Sequence, residues 1–121
     1  MIEYKIGEIE MKFAEMIWAK EPISSGELAH LTEEELHWKK STTYTVLKRL
    51  CEKGIFQNEK GIVTSKISHD DFQAKQSAIF VEESFHGSLP GFVAAFCSHK
   101  KLSKAEVEEL QRIIEKVGKS K

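Results

Sequence analysis

The chain has 121 residues, of which 40% are apolar and 31% charged, with a net charge of −1; this is the make-up of an ordinary globular protein with room for one real core and a short appendage. No apolar run approaches the roughly 18 residues that a membrane span needs. Met1 to Gly7 lacks the basic start and apolar stretch of a signal peptide, so a cytoplasmic location without membrane insertion is expected.

The first helix is expected over Glu8 to Lys20, where Ile9, Phe13, Met16 and Ile17 fall on one face, and Pro22 stops it. Ser24 with Glu27 forms a capping box that opens a second helix through Leu28, Ala29 and Leu31. A further Thr32-x-x-Glu35 box suggests that this helix restarts or gains a turn, carrying Leu36 towards Trp38. Ser41 to Lys53 reads as the third helix, with Thr43, Val46, Leu47 and Leu50 on its buried stripe and Gly54 just past its end. Ile55-Phe56, the polar run Gln57 to Gly61, and Ile62 to Ile67 then read as two strands joined by a turn.

After Ser68 the pattern returns to helix. Asp70 to Phe85 carries Ala74, Ala78, Val81 and Phe85 on one stripe, and His86-Gly87-Ser88 breaks it. Pro90 sits where a short apolar helix bearing Leu89, Phe92, Val93 and Phe96 can start. The capping box Ser103-x-x-Glu106 opens a last helix whose Val107, Leu110, Ile114 and Val117 form a seam that requires a partner helix. The expected architecture is therefore mostly α with a small β-hairpin wing. A winged helix-turn-helix over residues 1–69 precedes a helical dimerisation module over residues 70–121. In that module Ala78, Val81, Phe85, Leu89, Phe92, Val93, Phe96, Val107, Leu110, Ile114 and Val117 are expected at the interface between two copies. The alternative is that these helices fold back onto the first domain as ordinary core.

Charge is not spread evenly. Residues 1–38 hold three lysines against nine glutamates, a net −6, whereas residues 39–66 hold seven Lys or Arg against two Glu, a net +5. The remaining 55 residues hold eight of each sign. A positive stretch confined to the third helix and the wing is the footprint of a surface that meets a polyanion. In a helix-turn-helix the second helix of the pair enters the DNA major groove with its N-terminal residues against base edges. On that basis Lys39, Lys40, Ser41, Thr42, Tyr44, Thr45, Lys48 and Arg49 are the expected DNA contacts, with Lys60 of the wing tip along a phosphate.

Catalysis and cofactors are not expected, because the chain has neither a Gly-rich phosphate loop nor a nucleophile with a recognisable base. Cys51 and Cys97 lack CxxC spacing and read as small apolar side chains rather than a disulfide framework. The chain has five histidines, and Cys97-x-His99 alone falls short of a metal-ligand set, so no metal is expected.

The order of these motifs resembles the penicillinase-repressor family of BlaI, MecI and CopY-type regulators, over nearly the whole chain from Ile6 to Lys116. Met16-Ile17-Trp18-Ala19-Lys20 resembles the end of the family's first helix. Trp38 followed by Thr42, Thr45, Leu47, Arg49-Leu50 and Lys53-Gly54 is similar to its recognition-helix signature. Phe85-x-Gly87-Ser88, the apolar stretch to Phe96, and Leu102-Ser103 with Glu108-Glu109-Leu110 resemble its dimerisation tail.

The resemblance implies a homodimer that represses genes by binding a palindromic operator. It also implies a protease or sensor that acts on the dimerisation module, at an Asn-Phe bond in the β-lactam branch. The bond at that place here is Ala95-Phe96. The C-terminal CxC motifs of the copper-responsive branch are not present. Lys39 stands where the family has a capping Ser, Thr43 where it has Val or Ile, and the wing is short. Two other readings compete: a winged-helix module that binds proteins and not DNA, suggested by the short wing and the acidic start, and a redox or metal sensor using Cys97 and His99.

Overall fold

A computed structural model describes residues 5–119. The elements in order are α1 (Glu8–Lys20), β1 (Ile23–Ser24), α2 (Ser25–Leu36), α3 (Lys40–Glu52), β2 (Phe56–Glu59), β3 (Ile62–Ser65), α4 (His69–Phe85), α5 (Leu89–His99) and α6 (Lys104–Lys119). Helices therefore dominate, and the strands form one antiparallel sheet in the order β1-β3-β2. The mostly helical winged helix-turn-helix with a helical C-terminal part is as the sequence predicts. The chain divides into two compact units between Ile79 and Phe80, a division that α4 runs across.

In the first unit, Phe13, Ala14 and Ile17 of α1 meet Leu28 of α2, Val46, Leu47 and Leu50 of α3, Ile55, and Phe56 and Val63 of the hairpin in a single apolar cluster. Fully burying each of the larger side chains contributes about 1.5–3 kcal/mol. The α1 stripe differs from expectation by one position. Ile9 is about half exposed whereas Ala14 is buried.

Trp18, near the end of α1, ties distant parts of this unit together. Its indole N–H donates to the Ile67 carbonyl at 3.0 Å. Its rings lie 5.1 Å from Phe56, 5.2 Å from Phe72 and 4.6 Å, stacked, from His69. Phe72 is completely buried, so the first turns of α4 belong to the first unit. For this reason the division falls ten residues beyond the 69/70 boundary read from periodicity.

Ser24 caps α2 as expected, accepting the Glu27 N–H at 3.1 Å. At Thr32 the helix does not restart but continues, as the other expectation had it, through Leu36. Thr32 lies inside α2, fully buried, where its hydroxyl donates to the Ala29 carbonyl at 3.1 Å and meets the hydroxyl of Thr43 in α3. A Thr-x-x-Glu pattern inside a continuing helix finds its backbone donors already used, so the hydroxyl turns inward. α2 ends instead at His37, which is left-handed at φ 57°.

α3 begins at Lys40, and Lys39 caps it without a side-chain hydrogen bond. Its end is a Schellman motif. Gly54, at φ 82°, donates to the Cys51 carbonyl at 3.0 Å and Ile55 to that of Leu50 at 3.1 Å.

The second unit begins in α4 and contains α5 and α6. Phe80, Phe85 and Phe92 pack edge to face or tilted, with centroids 5.5–6.0 Å apart, and Phe96 adds to them at 6.3 Å from Phe92. Ser88 caps α5 by accepting the Gly91 N–H at 2.9 Å. The Ser103–Glu106 box caps α6 in both directions, at 2.9 and 3.1 Å, as its spacing predicts. Among the described residues of this unit, none is buried.

Candidate nucleic-acid interface

The two helices α2 and α3 are joined by the short link His37–Lys39, and the Thr32–Thr43 hydroxyl pair fixes them to each other from inside. With Thr43, Val46, Leu47 and Leu50 turned into the core, every other side chain of α3 that the sequence nominates is exposed: Lys40, Ser41, Thr42, Tyr44, Thr45, Lys48 and Arg49. Lys39 and Lys60 are exposed too.

They do not form one face. At about 100° per residue, positions separated by three, four and seven residues align, and α3 accordingly carries three outer stripes. Ser41, Thr45 and Lys48 point directly away from the core. The Thr45 hydroxyl donates to the Ser41 carbonyl at 2.9 Å, which leaves its methyl and an oxygen lone pair outward. On one flank, Tyr44, Lys48 and Cys51 line a groove against Asn58 of the wing. On the other flank lie Thr42, Arg49 and Lys53. There Arg49 reaches Glu10 of α1, with Nη1 to Oε2 at 3.2 Å, and the Lys53 ammonium donates to the Lys5 carbonyl at 2.6 Å.

The wing is a tight hairpin. The run Gln57–Asn58–Glu59, expected to be loop, continues β2, and Lys60 and Gly61 alone make the turn, both with positive φ of 53° and 84°. Positive φ at both central positions is the type I′ geometry that matches strand twist. The hairpin is held at both ends. The Gly61 carbonyl accepts the Ser25 N–H at 2.8 Å, at the start of α2. At the other end Glu21 accepts the Ser65 N–H at 2.8 Å and its hydroxyl at 2.9 Å. β1, not foreseen because two residues are too few for an alternating pattern, pairs Ile23 with Val63 and Ser24 with Ile62 on the free side of β3.

A sequence profile described as penicillinase repressor matches residues 6–116 of this chain. The chain belongs to the penicillinase-repressor family. It is similar to a methicillin resistance regulatory protein MecI from Staphylococcus aureus strain Mu50, at 27% identity over 117 residues, covering 93% of this chain and 95% of the relative. A penicillinase repressor from Bacillus licheniformis is 27% identical over 115 residues, covering 92% and 90% of the two chains. Another penicillinase repressor, from Staphylococcus aureus, is 26% identical over 121 residues, covering 93% and 96%. The family match takes in both units, the winged helix and the helices that follow.

The residues nominated for dimerisation are spread over α4, α5 and α6. Ala78 lies on α4 before the division and is exposed, while Val81, Phe85 and Phe92 are half-buried. Leu89, Val93 and Phe96 of α5 and Val107, Leu110, Ile114 and Val117 of α6 are exposed. α5 and α6 enclose an apolar groove lined by Phe92, Val93, Phe96, Leu102, Leu110 and Ile113. Ile113, half exposed, was missed because the seam was drawn through Ile114, its neighbour by one position. Cys97 also lines this groove and is exposed, whereas Cys51 is half-buried; burial pushes the Cys51 thiol above its ordinary value, with the nearby Lys66 opposing that shift. The reading of Cys97 as a packed apolar side chain therefore fails within one chain. Among the described residues no three His, Cys, Asp or Glu are grouped to hold a metal ion, and no helix is long and apolar enough to cross a membrane.

Proposed function

We propose that this protein is a transcriptional repressor that binds a palindromic operator as a homodimer, with α3 in the major groove. The observation that carries this reading is the outermost stripe of α3: Ser41, Thr45 and Lys48, exposed on a rigid helix within the net +5 stretch. Short hydroxyl and methyl groups fit base edges, and the lysines Lys39, Lys40 and Lys48 neutralise phosphates. Thr42 and Tyr44 extend this surface on either side, and Lys60 at the wing tip reaches a neighbouring phosphate. The names of the relatives support the repressor role.

The second unit supports the homodimer. Leu89, Phe96, Val107, Leu110, Ile114 and Val117 are too much apolar surface to leave in water. A second copy that covers it sets two recognition helices about one DNA turn apart or a multiple of that. Release by a protease acting at Ala95-Phe96 requires local unwinding, because that bond lies within α5.

The test is fluorescence anisotropy of the full chain with a duplex from upstream of its own gene and with a shuffled duplex, across a salt series. Preference for the first duplex with a steep salt slope is the expected result. Equal, weak binding to both counts against the reading.

A further inference from the structure

Arg49 belongs to the basic stretch and to the helix that the proposed function places on DNA, yet its guanidinium turns away from the outermost stripe of α3. It lies on the flank with Lys53, and both side chains are directed to the start of α1. Glu10 receives Arg49 with one oxygen and the Gly7 N–H with the other, at 3.2 and 3.0 Å. The Glu10 side chain is only 17% exposed, against 51% for Arg49. A carboxylate with both oxygens bonded is a fixed anchor, and the guanidinium is aimed at it through Nη1. The same carboxylate thereby caps the start of α1 and holds the C-terminal half of α3.

We propose that Arg49 is a positioning residue for DNA binding: it acts through Glu10 to set the angle of α3 against α1, and it is not a phosphate ligand. This rests on the DNA-binding reading of α3. It reassigns one residue of the basic stretch and adds Glu10, an acid outside that stretch, to those on which operator recognition depends. Charge alone favours the opposite role for Arg49, and the two roles give opposite signs in a simple experiment.

The full chain and its variants are titrated into the own-gene duplex and the shuffled duplex over a salt series. Lys48→Ala lowers the slope of log affinity against log salt by about 1 on both duplexes. Arg49→Ala keeps the wild-type slope while weakening the own-gene duplex by about fivefold. Glu10→Gln, a milder change that retains a hydrogen-bonding side chain, also weakens the own-gene duplex and leaves the shuffled one unchanged. Arg49→Glu weakens binding further, and adding Glu10→Arg to it, which restores the ion pair but not the acceptor for the Gly7 N–H, recovers part of that loss.

A phosphate-ligand role predicts the reverse at each step. Arg49→Ala then lowers the slope by about 1, Glu10→Gln tightens both duplexes by freeing the guanidinium, and the charge swap stays as weak as Arg49→Glu. Any of these results overturns the proposal while leaving the DNA reading intact. A wild-type chain that binds neither duplex at low salt overturns the DNA reading, and this role with it.

Discussion

The hydroxyl pair between α2 and α3 has a direction. Thr32 has two partners, the Ala29 carbonyl and the Thr43 hydroxyl, and when it donates to the first the proton between the two hydroxyls comes from Thr43. Replacing Thr32 with Val leaves a buried donor unmatched, and stability falls by about 2 kcal/mol. Replacing Thr43 with Val leaves Thr32 still bonded and costs less than about 1 kcal/mol. Urea unfolding of the two variants measures this asymmetry, and equal losses would mean that the Ala29 carbonyl does not satisfy Thr32 once Thr43 is gone. Glu10 gives a second expectation at this scale. The Gly7 N–H above all holds its carboxyl below the ordinary value of 4.5; burial, the next largest effect, opposes this, and Arg49 and Lys53 add smaller lowering contributions. A carboxyl lowered in the folded state stabilises the fold above its unfolded value, and that contribution is lost as pH falls through the folded one. Acid unfolding of Glu10→Gln should therefore begin from a less stable protein at neutral pH and show a shallower loss of stability in the acid range.

Among the elements, the wing turn is the most exacting. Lys60 and Gly61 both adopt positive φ, and the Gly61 carbonyl also accepts from Ser25. Gly61→Ala retains room for its Cβ, which would meet only the Ser25 hydroxyl at 4.0 Å, but places a side chain in left-handed backbone. The expected cost is about 1 kcal/mol, with weakened DNA binding where Lys60 moves, read by thermal melting and by anisotropy. Helices α1 to α6 were legible in the sequence because caps and periodic apolar residues agree, as at Ser24 with Glu27, at Ser103 with Glu106 and at Gly54. The rest was hidden for physical reasons. Thr32-x-x-Glu35 carries a cap's residue types in a helix interior, and only the buried partner on α3 reveals which use the hydroxyl takes. β1 exists because β3 offers it a free edge, a non-local cause that no window of sequence contains. The members of the α3 surface were readable from charge and spacing, but their division into three stripes was not. It depends on where Glu10 and Asn58 lie in space.

For the molecule as a whole, the contrast between the units decides how stability should be measured. The first has a closed core from Phe13 to Phe72; the second leaves Phe96, Leu110, Ile113 and Val117 exposed. If a second copy covers them, Leu110→Asp gives a monomer in sedimentation equilibrium, and its melting temperature no longer rises with protein concentration as that of wild type does. Thermal unfolding of Leu110→Asp would still show the first unit's transition, because none of its core residues lies on α5 or α6.

If two copies pair through it, that uncovered second unit also shapes how the proposed switch responds in a cell. When chains are scarce relative to their self-affinity, the number of pairs varies as the square of the number of chains. Halving the copy number then leaves about a quarter of the pairs. Operator occupancy falls faster than the protein does, so a signal need remove only part of the pool to open the promoter. On the proposed reading the threshold is set by the apolar residues of α5 and α6, far in sequence from the helix placed against the bases.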